Sequence, residues 1–187
     1  MSSQLMWYLA RAGGLVAWGL AAASVLWGLA LSTRALGRRP RPNWLYDLHR
    51  SLGGLALVFT GVHVVSVLLD DYVHFGLVNV LVPFTGSWHP VAVAWGILAF
   101  YVLLAVELTS LLRSHVSARL WRRVHFGSFA LFALSSLHAI TAGTDAGSGV
   151  FFDVVVAVSS LVAVMTVVRI GRSLSQPASG RSIVIQR

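Results

Sequence analysis

The chain has 187 residues, 57% hydrophobic and only 11% charged, with a mean hydropathy of +0.78. A soluble domain carries about 25% charged residues, so this composition points to a single membrane bundle without a separate catalytic module. The absence of cysteine excludes disulfides, thiolate metal sites, iron–sulfur clusters and covalent c-type haem, and the charge of +8 is carried by 14 arginines and no lysine. Five apolar runs predict transmembrane helices: about Ala12 to Leu31, Ser51 to Leu69, Pro90 to Leu112, Val124 to Thr141, and Val150 to Val168. Each approaches the ~20 residues that a helix needs to cross ~30 Å of hydrocarbon. The fold class is therefore an all-α integral membrane bundle spanning residues 1–172, with a short polar tail over 173–187.

The arginines set the orientation. Arg34, Arg38, Arg39, Arg41 and Arg50 follow the first run; Arg113, Arg119, Arg122 and Arg123 the third; Arg169, Arg172, Arg181 and Arg187 the fifth. That places 13 of the 14 on one side, which the positive-inside rule makes cytoplasmic, with the N-terminus outside and the C-terminus inside. Asp70, Asp71, Asp145 and Asp153 fall on the other side. Charge of this kind reads as topology and membrane-lipid contact, with no nucleic-acid partner. The arginine-only, Ala/Val/Gly-rich composition suggests a bacterial plasma membrane. The segment FGLVNVLVPF in the outer loop between Asp70 and His89 is too short to span, so it is expected to lie along or dip into the surface as a short helix.

Four histidines carry the functional signal. His49 and His63 lie 14 positions apart around the second helix, and His125 and His138 lie 13 apart around the fourth. These two helices run in the same direction, so His49 pairs in depth with His125 near the inside, and His63 with His138 near the outside. At 1.5 Å per residue the two levels are ~20 Å apart, too far for one ion but suited to two stacked macrocycles, each clamped by one histidine from each helix. On an ideal helix, 14 positions leave the rings about 40° apart and 13 leave them about 140° apart, so the fourth helix needs tilt, a local distortion or sideways reach. His74, His89 and His115 fall in loops and read as surface residues. Arg50, Arg122 and Arg123 on the inner side and Arg11 on the outer side are candidate partners for haem propionates. Glu107 is expected to pair with Arg113 or an inner-loop arginine. Gly53, Gly54, Gly61 and Gly127 could admit a porphyrin or simply pack helices.

The pairs DLHR…GVH and RRVHF…SLH, with their alternating helix order, resemble the ferric reductase-like transmembrane domain family over roughly Arg34 to Ala146. That family includes the haem domains of NADPH oxidases and ferric reductases, and the haem subunit of the periplasmic methionine sulfoxide reductase system. The resemblance implies that the matching histidines are axial ligands of two b haems. Two departures stand out. The oxidases and reductases usually have six helices, and they continue into a domain binding FAD and a nicotinamide nucleotide. Here fewer than twenty residues follow the last run, with no glycine-rich phosphate loop. The expected function is thus electron transfer across the membrane. The donor would be a cytoplasmic flavoprotein reductase or a membrane quinol, and the acceptor an extracytoplasmic oxidoreductase or ferric iron. The rival expectation is a haem-free transporter component or assembly factor with structural histidines.

Overall fold

The computed structural model describes residues 3–33, 42–71, 74–143, 145 and 147–174. Among these there are six helices and no strand: α1 (Ser3–Ser32), α2 (Asn43–Leu68), the short α3 (Leu77–Leu81), α4 (Pro90–Leu111), α5 (Ala118–Ala142) and α6 (Gly149–Leu174). All but α3 are long and apolar enough to cross a membrane, so the chain has the architecture of a multi-pass membrane protein. The loop holding Arg34, Arg38, Arg39 and Arg41, and the tail from residue 175 with Arg181 and Arg187, lie outside the described residues.

Several helices outrun the apolar stretches that announce them. α1 starts at Ser3, so Arg11 sits inside the helix and not at its beginning. α2 starts at Asn43, directly after Pro42, and α5 starts at Ala118, where the Ser117 hydroxyl accepts a hydrogen bond from the Leu120 amide at 3.2 Å. Hydropathy marks only the part of a helix that meets hydrocarbon, whereas the hydrogen-bond ladder continues through the interfacial turns. His49 lies in one of these extra turns, before the apolar run that begins at Ser51, whereas His125 already falls inside its run; both are helical residues. α4 opens on Pro90, a position where a missing amide proton costs nothing.

The helices form two antiparallel hairpins, α1–α2 and α4–α5, which close into a ring because α2 also packs on α4 and α5 on α1. In this four-helix ring α2 and α5 stand on one diagonal and do not pack closely on each other. α6 lies outside the ring against α1. One core cluster joins Ala22, Val25 and Leu29 of α1 to Phe132 of α5 and Val162 of α6; another joins Ala99 and Leu103 of α4 to Leu131 of α5. Leu29 is only 1% exposed. Leu29→Ala should lower the thermal midpoint in detergent, at a cost of about 2 kcal/mol. That is the low end for buried leucines, because separated helices still keep an apolar environment.

Several threonine hydroxyls within the spans bond to their own helix. The hydroxyls of Thr60, Thr109, Thr141 and Thr166 donate to carbonyls one turn back, at 2.6–2.7 Å. The segment expected to be a short surface helix is α3. The amide of Gly76 donates to the Asn79 side chain, Asn79 donates to the Thr85 carbonyl, and the Tyr101 hydroxyl of α4 donates to the Leu81 carbonyl. Leu77 and Val78 remain exposed on it.

Candidate cofactor site

The diagonal helices carry the four histidines, and these meet in two pairs. At the end bearing Arg50, Arg122 and Arg123, His49 faces His125 with ring centroids 5.9 Å apart and planes at 73°. At the opposite end His63 faces His138 at 6.2 Å and 77°. These are the partners that depth matching selects. α5 is regular α-helix throughout, so no local distortion absorbs its 13-residue spacing.

The distances carry chemical meaning. Two imidazoles that bind one metal ion from opposite sides, at about 2 Å per bond, have ring centres about 6 Å apart. No three His, Asp or Glu side chains converge on a metal position among the described residues. Each pair thus offers two imidazoles that could hold a metal-bearing cofactor such as haem between them.

The ring orientations are fixed from behind. His63 Nδ1 donates to the Ala10 carbonyl of α1 at 2.7 Å, and His138 Nδ1 donates to the Ala92 carbonyl of α4 at 2.8 Å. A carbonyl only accepts, so each Nδ1 carries the proton and each Nε2 keeps its lone pair as a potential ligand. His49 Nδ1 lies 3.3 Å from the Ser24 hydroxyl. A glycine one helical turn beyond each of these partners lets the ring approach. A Cβ on Gly14 would stand 2.9 Å from His63 Nδ1, one on Gly96 2.8 Å from His138, and one on Gly28 3.2 Å from His49. The carbonyl of residue i already serves residue i+4, and its second lone pair is reachable only where no Cβ covers it. His125 departs from this plan. Its Nδ1 is buried with no partner, and its ring stacks on Trp121 at 4.9 Å.

His63 and His138 line a cavity of about 320 Å³, walled mainly by apolar side chains including Trp18, Phe100 and Leu103, with Arg11 and Asp70 among its few charged groups. That volume falls in the usual range for small-molecule sites.

No family model, curated protein or solved structure matches this chain.

The other candidates divide clearly. Arg11 lines the cavity but is engaged by Asp145: its Nε donates to Oδ2 at 2.8 Å, its Nη2 bonds Oδ1, and its guanidinium lies over Trp7. Arg50, Arg122 and Arg123 are exposed at the other end. Glu107 has no cation within ion-pair distance among the described residues; its carboxylate lies against Gly53 instead. Arg113, its expected partner, stacks over Trp121. Gly127 packs against Val102, while a Cβ on Gly54 or Gly61 would meet open space. His74, His89 and His115 are exposed, as their loop positions suggest.

Sequence reasoning did not single out Gly14, Gly28, Gly96, Ser24 or Trp121. A signal for the first two was present: Gly14 and Gly28 are 14 apart on α1, the same interval as His49 and His63 on its antiparallel neighbour.

Proposed function

We propose that this protein carries electrons across the membrane through two b-type haems, one held by His49 and His125 and the other by His63 and His138. The observation that carries this reading is the pair of facing imidazoles at each of two depths, with centroids 5.9 and 6.2 Å apart, between diagonal helices that do not pack closely on each other. The carbonyls of Ala10 and Ala92 orient the rings at the second site and hold the proton away from the coordinating nitrogen. His49, His125, His63 and His138 would be the residues that hold haem, and when bound it would supply one-electron chemistry. Arg11 stands beside the cavity of the His63–His138 site as the cation for an acidic group of the cofactor, shared with Asp145. Arg50 and Arg122 are the corresponding cations at the other end.

The arginine-bearing end is cytoplasmic on this reading, with the N-terminus outside. The donor is then a cytoplasmic flavoprotein or a membrane quinol at the His49–His125 end. The acceptor is an extracytoplasmic oxidoreductase or ferric iron at the His63–His138 end, in the plasma membrane of a bacterium.

Reduced-minus-oxidised spectra of the purified protein, with haem quantified per chain, test the proposal. A b-type α-band and two haems per polypeptide are expected. Absence of both would favour the haem-free alternative, a transporter component or assembly factor.

A further inference from the structure

We infer that the two sites are built to differ in potential, with the His63–His138 site the lower and the His49–His125 site the higher; this rests on the haem reading above. The difference lies in what stands behind each ring. An imidazole that donates Nδ1–H to a good acceptor is a more basic ligand and favours the more highly charged ferric ion, which lowers the potential. At the far end both rings do so, to Ala10 and Ala92 at 2.7 and 2.8 Å. At the arginine-bearing end His49 has only a 3.3 Å contact with a hydroxyl, and the buried Nδ1 of His125 has no acceptor.

Fixed charge acts in the same direction. Arg113 lies over the ring of Trp121, its guanidinium 4.8 Å from the centroid, His125 stacks on the same ring, and Arg169 lies over Phe126, the neighbour of His125. Cations this close favour the reduced state. Glu107, near Gly53 on the same side, opposes them as a single carboxylate. At the far end Arg11 and Asp145 neutralise each other, while Asp70 lines the cavity with a buried oxygen that has no hydrogen-bond partner. A carboxylate there favours the oxidised state. Trp121 is accordingly a positioning residue that brings the Arg113 charge to bear on His125.

Potentiometric titration followed at the α-band tests the inference. The full chain should resolve two components. A His138→Ala chain, keeping the His49–His125 site, should titrate at the higher one, and a His125→Ala chain at the lower one. Arg113→Gln in the otherwise intact chain should lower the higher component and leave the other in place, which assigns the sites even where a histidine variant fails to assemble. Ala92 cannot be altered to remove its carbonyl, so the complementary change is Asp70→Asn, which should raise the lower component alone. Coincident components, the reverse order, or a shift of the lower component by Arg113→Gln would overturn the inference while leaving two-haem binding intact. A chain that binds no haem would overturn the function itself, and the inference with it.

Discussion

Single histidine-to-alanine variants should sort into two classes, each losing one of two haems. His49→Ala and His125→Ala should give protein with half the haem and the far site intact; His63→Ala and His138→Ala should leave the other half. The expectation follows from two separate ring pairs about 20 Å apart along the helices, each complete without the other. On the proposed reading, each variant would remove one of the two histidines that would hold the haem at that site and leave its partner ring unopposed. Haem per chain, measured on folded monodisperse protein, should fall from two to about one in all four variants. Loss of both haems from every one of them would contradict independent sites.

The second large effect concerns a residue that touches no ligand. Gly96→Val should empty the His63–His138 site as completely as removing His138. A Cβ there would stand 2.8 Å from two atoms of the imidazole, and the ring cannot retreat without giving up the Ala92 carbonyl. Forcing a side chain into such a space costs about 1–3 kcal/mol even where neighbours can shift, and here the shift misaims the ligand. Gly14→Val should behave alike through His63. Gly28→Ala, where the approach is 3.2 Å, should weaken the other site only a few-fold, and Gly19→Val, with nothing within 4 Å, should retain both haems. Haem content and the α-band of each variant separate these outcomes. If Gly96→Val binds two haems normally, the glycine is not what seats His138.

The contrast between these two expectations shows what the chain makes legible. Spacing along one helix is a local property, so the apolar runs, the arginine asymmetry and the 14- and 13-residue histidine intervals can be read directly, and the pairs they select are the pairs that meet. What backs each ring belongs to another helix. Ala10, Ser24 and Ala92 are ordinary small residues until the packing of α1 on α2 and of α4 on α5 brings them behind His63, His49 and His138. The diagonal placement of α2 and α5 is likewise a property of the closed ring. Glu107 marks the same boundary: its carboxylate lies against Gly53 of α2 and its expected partner Arg113 lies over Trp121, while the inner-loop arginines Arg34, Arg38, Arg39 and Arg41 lie outside the described residues.

The depth at which the histidine pairs sit has an electrical consequence. Fourteen residues of α2 separate His49 from His63, about 20 Å along the axis, most of it within the ~30 Å hydrocarbon. Any electron passing between them crosses that share of the transmembrane field, which amounts to about 1.5 kcal/mol for each 100 mV of membrane potential. With the arginine-bearing side negative, the field pushes electrons outward, against the gradient that the contrasting ring partners would impose. On the proposed two-haem reading, an energised membrane would bring closer to balance two sites that stand apart in detergent, so that the cell's own voltage would set how evenly they share an electron.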